Sequence, residues 1–186
     1  MAFRCFCTFL ILPPFPFIYI NTGNNGLAGV IPQEIVALEK LDVLGLEQNS
    51  LIGPIPSGFA DGLYRVRLQS NALSGPLPAF PESVLTLQVE DNRLSGEITE
   101  AVANLPNLKK LNLNDNRFSG EIPAALGSVS AGVKEIRLHG NKFEGQMPAE
   151  LCVLRMQNFD FKRLSVDCDE VECECCAPEC PNAFNP

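Results

Sequence analysis

Asparagine returns along this chain at nearly constant intervals, each time in the same context: Asn25, Asn49, Asn71, Asn92, Asn116 and Asn141. Two residues after each stands Leu or Phe (Leu27, Leu51, Leu73, Leu94, Phe118, Phe143), and four residues after stands Gly (Gly29, Gly53, Gly75, Gly96, Gly120, Gly145). An aliphatic residue follows, usually with Pro behind it: Ile31-Pro32, Ile55-Pro56, Leu77-Pro78, Ile122-Pro123, Met147-Pro148. The steps between asparagines are 24, 22, 21, 24 and 25 residues. A period of this size specifies a solenoid, in which no unit can bury its apolar side without a neighbour.

Apolar residues eight, five and three places before each Asn fix the register: Leu41, Leu44, Leu46; Leu63, Val66, Leu68; Val84, Leu87, Val89; Leu108, Leu111, Leu113; Val133, Ile136, Leu138. The last two of each triplet alternate with polar residues, as in a half-buried strand. One such strand per repeat, all running the same way, stacks into a parallel sheet at about 4.8 Å per strand. The Asn amide has donors and acceptors to satisfy backbone groups that the turn leaves unpaired, above and below along the stack. The Gly supplies positive φ or close chain approach. Apolar residues past the Pro (Ile35, Phe59, Leu126, Leu151, and Val102 after Thr99) are expected to begin short helical turns. The same ruler predicts a seventh, capping strand at Phe161, Leu164 and Val166, with Asp169 in the Asn slot. At the other end it falls on Phe17, Ile20 and Thr22, a degenerate first strand.

These elements resemble the plant-type leucine-rich repeats, consensus LxxLxxLxLxxNxLxGxIPxxL, found in receptor-like proteins and receptor kinase ectodomains. The match runs from about Phe17 to Leu154, and the L-x-G-x-I-P element makes it specific. Thr99 in place of Pro, and Phe80-Pro81 in the third repeat, depart from it. The resemblance implies an α/β solenoid: a right-handed leucine-rich repeat superhelix with one parallel strand per repeat and short helical turns on the convex side. It also implies recognition or signalling at the cell surface or in secreted form, with a membrane-anchored coreceptor as a second partner.

Three segments follow: 1–16, an apolar N-terminal segment; 17–154, the solenoid of about six repeats; and 155–186, the capping strand and a Cys-rich acidic cap. Six cysteines, Cys152, Cys168, Cys173, Cys175, Cys176 and Cys180, crowd the end, and an even cluster there points to a disulfide cap. Their pairing is not fixed by spacing. A metal site at Cys173–Cys180 is the competing reading, but the spacing lacks paired C-x2-C knuckles. The N-terminal segment is basic at Arg4 and apolar from Cys5 to Ile20. It reads as a secretory signal, as a cover for the open end of the solenoid through Phe15, Phe17 and Ile18, or as a truncated end. Its sixteen apolar residues are broken by Pro13, Pro14 and Pro16 and fall short of the roughly 20 that a membrane helix needs. No N-x-S/T sequon occurs.

The formal charge of −8 argues against nucleic acid, which wants a basic stripe. Six acids after Arg163 (Asp167, Asp169, Glu170, Glu172, Glu174, Glu179) account for most of it, leaving −2 for the rest. Outward positions on the concave sheet form two columns, Gly45, Arg67, Gln88, Asn112, Arg137 and Glu47, Gln69, Glu90, Asn114, His139, flanked by Arg65, Asp91, Lys109, Lys110, Asp115, Lys134 and Glu135. Solenoids bind on this surface. The candidate ligand residues are Arg67, Gln88, Glu90, Asn112, Asn114, Arg137 and His139, with the arginines and the histidine foremost. His139, the single histidine, has no nucleophile with an orienting carboxylate, and no phosphate- or dinucleotide-binding fingerprint occurs. The expectation is a non-enzymatic, monomeric module without cofactor, binding a protein, peptide or glycan. The alternatives are a structural or surface-adsorbing protein, wall-associated or ice-binding, and a metal binder using the Cys tail. Only four Thr occur, Thr8, Thr22, Thr86 and Thr99, too few and too scattered for an ice-binding column.

Overall fold

In the computed structural model, residues 17–103, 105–128, 132–157, 160–167 and 171–172 are described. The expected ladder is present as a seven-stranded parallel sheet of β1 (Ile18–Asn21), β3 (Leu41–Gly45), β5 (Arg65–Arg67), β7 (Thr86–Gln88), β9 (Lys110–Asn112), β11 (Glu135–Arg137) and β13 (Arg163–Ser165), in that spatial order. Leu44, Val66, Leu87, Leu111 and Ile136 lie in register from strand to strand, and all are fully buried. Each strand alone has one apolar edge. Stacking converts those edges into a continuous core, the main stabilising contribution, at roughly 25 cal/mol per Å² of apolar surface removed from water.

A second parallel sheet accompanies the first, built from the Leu-x-Gly segments: β2 (Ala28–Val30), β4 (Ser50–Gly53), β6 (Ala72–Gly75), β8 (Arg93–Gly96), β10 (Arg117–Glu121), β12 (Lys142–Gln146) and β14 (Val171–Glu172). Sequence reading finds one strand per repeat and takes this segment as a turn. The leucine does point inward, and Leu73, Leu94 and Phe118 are fully buried. The Gly within or at the end of each strand from β2 to β12 of this sheet carries positive φ, from 77° at Gly53 to 98° at Gly29, which bends the chain there.

The asparagines join the two sheets. Asn116 Nδ2 donates to the carbonyls of Val89 (3.0 Å), Leu113 (3.2 Å) and Asn114 (3.2 Å), while its Oδ1 accepts from the Leu94 N–H at 3.0 Å. Asn71, Asn92 and Asn141 repeat the pattern. The side chain therefore reaches its own repeat and the preceding one, not both neighbours as the sequence suggests. The upward link is made by its backbone N–H, which donates to the next repeat, as Asn92 does to Asp115 O at 3.1 Å. The residue before each Asn lies in the left-handed region: Asn24, Gln48, Ser70, Asp91, Asp115 and Gly140 have φ of 57°, 53°, 56°, 55°, 54° and 68°.

Short helices form at Gln33–Ala37, α1 (Glu100–Ala103), Ala124–Ser128 and α2 (Ala149–Gln157). The helical turn expected at Phe59 is absent. Gly58, at φ 92°, breaks the helical backbone, and Phe59 instead stacks on Phe80 with ring centroids 5.8 Å apart. Phe80-Pro81 is thus a packing device rather than a mere irregularity. At the N-terminal end the ruler slips by one residue. Ile18, not Phe17, pairs with Leu41 across a bulge, leaving Phe17 54% exposed. At the other end β13 forms the predicted seventh rung on β11, and Asp167 Oδ2 accepts from the Asn141 N–H at 3.1 Å. Asp169, the residue expected in the Asn slot, lies outside the described residues. Cys152 is disulfide-bonded. Cys168, Cys173, Cys175, Cys176 and Cys180, the proposed metal site among them, also lie outside.

Candidate functional site on the concave sheet

Strand pairing places the outward positions in straight columns. One runs Asn21, Gly45, Arg67, Gln88, Asn112, Arg137, Ser165. A parallel column two residues back runs Tyr19, Val43, Arg65, Thr86, Lys110, Glu135, Arg163. Backbone hydrogen bonds from Lys134 N to Lys109 O and from Lys162 N to Lys134 O align a further lysine row at the strand starts. Beyond the strand ends lie Glu47, Gln69, Glu90, Asn114 and His139.

The two arginines singled out by sequence are held in ion pairs. Arg67 faces Glu47 at 3.5 Å and donates to Asn21 Oδ1 at 3.3 Å. Arg137 pairs with Glu135, whose other oxygen meets Lys110 Nζ at 3.4 Å. Gln88 donates to Glu90 Oε1 at 3.2 Å. His139 Nδ1 lies 2.7 Å from Ser165 Oγ, the direction of the proton depending on the tautomer. Asn112 and Asn114, expected among the contact residues, are 1% and 6% exposed. Asn112 sits between two carboxylates. As oriented it donates to Glu90 Oε1 at 3.4 Å, and the flipped amide donates to Glu135 Oε1 at 3.2 Å. Asn114 Nδ2 donates to Asp115 Oδ2 at 2.6 Å. Both asparagines serve as supports beneath the surface.

Two features escaped the sequence reading. First, Glu47 Oε2, Gln69 Oε1, Glu90 Oε2 and Asn114 Oδ1 are buried acceptor oxygens without a donor, on four successive repeats. Arg67 Nε, a buried donor on the same face, is likewise without a hydrogen-bond partner among the described residues, so these atoms lie beneath the surface and not at it. Second, Lys109, Lys134 and Lys162 are exposed and form no ion pair among the described residues. At the N-terminal end, Arg65 lies over the Tyr64 ring, 5.8 Å from its centroid. A hydrogen bond to Tyr64, with lesser burial and charge effects, raises the Tyr19 phenol above its ordinary pKa. Among the described residues no group of three or more His, Cys, Asp or Glu is arranged to hold a metal, and no helix is long and apolar enough to cross a membrane.

The Leucine Rich Repeat family model matches residues 107–129. Receptor-like protein 35 of Arabidopsis thaliana is 36% identical over 100 residues, covering 52% of this chain and 11% of that protein. The chain thus spans about a tenth of the length of the curated relatives it matches. The Arabidopsis receptor kinase HAESA, solved with the peptide hormone IDA and the co-receptor SERK1, superposes with a TM-score of 0.73 at 31% identity, over 85% of this chain and 26% of that one. A pollen receptor kinase 3 structure gives a TM-score of 0.65 at 30% identity, over 73% of this chain and 67% of the other. A plant ice-binding protein gives 0.63 at 28%, over 81% and 47%. With its repeats, its asparagine ladder and these likenesses together, the chain belongs to the leucine-rich repeat family, in its plant receptor-like branch.

Proposed function

We propose that this chain is a non-enzymatic recognition module that binds a peptide or protein segment along its concave sheet, outside the cell or at its surface. The observation that carries the reading is the straight column of polar side chains that strand pairing lines up across the concave sheet, Arg67, Gln88 and Arg137 among them, with Glu90 and His139 just beyond the strand ends. Arg67, Gln88, Glu90, Arg137 and His139 are the side chains placed to meet such a segment, with Asn112 and Asn114 supporting them. Membership of a family whose solved relatives include a receptor kinase bound to a peptide hormone favours a peptide over a glycan. The surface-adsorbing alternative has the likeness to a plant ice-binding protein behind it, but Thr22, Thr86 and Thr99 occupy unrelated places in the fold and form no column.

A random peptide library selected on the immobilised chain tests the reading. Binders should lose at least ten-fold in affinity on Gln88→Trp, which fills the middle of the concave face, or on Arg67→Glu with Arg137→Glu. They should be indifferent to Arg117→Trp on the second sheet. The reverse pattern would place binding elsewhere.

A further inference from the structure

The chain carries two cationic rows, and their surroundings differ. On the second sheet Arg93, Arg117 and Lys142 are exposed one per repeat. Acids border that row on both sides, with Asp91 and Asp115 two residues before and Glu97 and Glu121 four residues after. At the strand starts of the concave sheet, Lys109, Lys134 and Lys162 also stand one per repeat, exposed and linked through their backbones. Lys110 and Arg163 lie beside them in the next column. Among the described residues the one ion pair these five cations make is that of Lys110 with Glu135, which also holds Arg137. This is an uncompensated positive strip on a chain of charge −8.

Resting on the concave-face reading, we propose that this lysine row is the site for an acidic, extended peptide segment of the ligand. Lysine presents a hydrated point charge on a flexible stem, suited to carboxylates whose spacing need not match a rigid fork. Three rungs span about 10 Å between first and last backbone positions, while alternate side chains of an extended peptide are about 6.7 Å apart, a difference that the flexible lysine stems can take up. Among the described residues, no Phe, Tyr or Trp ring occupies an outward concave position of these three repeats on which a sugar could stack, which favours a peptide over an acidic polysaccharide. The acceptor row lies some five residues further along the strands, about 16 Å away. The two rows meet only in the repeat of Lys109 and Asn114: acceptors lie on the earlier repeats and lysines on the later ones, so the face is polarised along the stack.

Fluorescent octaglutamate binding to the full, oxidised chain tests this at 50 and 200 mM salt. Binding that weakens at the higher salt is expected. Lys109→Gln/Lys134→Gln/Lys162→Gln should weaken it at least ten-fold, the corresponding triple arginine variant should retain it, and Arg93→Gln/Arg117→Gln/Lys142→Gln should change it less than two-fold. Near-UV circular dichroism identifies any variant that has lost its fold, in which case the single Lys134→Gln, expected to weaken binding three-fold or more, replaces the triple. Loss with Arg67→Gln/Arg137→Gln but not with the lysine variants would overturn the lysine row and leave the concave face standing. Loss only with the second-sheet variant would overturn both. Absence of octaglutamate binding, or tighter binding of an oligogalacturonate of equal charge, would overturn the acidic-peptide assignment.

Discussion

Asn116→Ala removes the one ladder asparagine, among those described, that is buried. Four hydrogen bonds end on its amide, three donated and one accepted, within a site 9% exposed. Truncation strands the Leu94 N–H, whose only side-chain acceptor is Asn116 Oδ1; an unpaired buried donor costs about 2 kcal/mol. The three carbonyls lose shared donors, adding about 1 kcal/mol together because part of each is replaceable by water. The expected loss is about 3 kcal/mol, a large fraction of the roughly 5–15 kcal/mol typical of a domain. Asn25→Ala is the matched control. Its side chain is exposed, donates to Gly23 O at 2.8 Å, and has no earlier asparagine rung to join, so its loss should stay within about 0.5 kcal/mol. Asn116→Asp keeps the acceptor for Leu94 but loses the donors and buries a charge, and should be at least as damaging as Ala. Urea midpoints at unchanged m-value measure the differences, and hydrogen exchange at the Leu94 amide reports the local opening. If Asn116→Ala lies within about 1 kcal/mol of Asn25→Ala, the amide ladder does not hold the stack and the reasoning fails.

Gly127→Ala should destabilise the last repeats by about 2 kcal/mol, since its Cβ would press on Glu150 and come within 2.7 Å of the Leu151 nitrogen, where Ala124–Ser128 packs on α2. Gly26→Ala, at φ 66° with open space around it, meets only backbone strain of about 1 kcal/mol; thermal melts ranking the two the other way would contradict the packing. Asp42 is buried, and desolvation raises its carboxyl above the ordinary value of 3.8. The native state therefore holds this proton more tightly than the unfolded chain. Asp42 opposes stability above its folded pKa, and the penalty disappears as pH falls through that pKa toward 3.8. Asp42→Asn should consequently raise the melting temperature at pH 7 and lose that advantage by pH 3, and an equal effect at both pH values would remove the desolvation argument.

Much of the core was legible because burial in a solenoid is local and periodic. Leu44, Val66, Leu87, Leu111 and Ile136 could be assigned inward from one ruler, and each is buried. The seventh rung at β13 followed from the same ruler. Local backbone geometry was harder. The left-handed residue before each asparagine is Asn24, Gln48, Ser70, Asp91 or Asp115, and only Gly140 announces itself by type. The second sheet stayed hidden because its strands span two to five residues, too few for alternation to show, and pair only across repeats.

The site divides along the same line. Sequence alone determined which side chains face the concave surface, since a two-residue alternation decides it. Tertiary structure decided which of them are available. Arg67 meets Glu47 and Arg137 meets Glu135 at offsets no periodicity predicts, Asn112 and Asn114 are buried, and Lys109, Lys134 and Lys162 are left without ion pairs among the described residues. Facing a surface is a property of one strand. Being free to bind depends on which charges the register brings within about 4 Å, over which a Coulomb contact forms, and that distance exists only once the repeats have stacked.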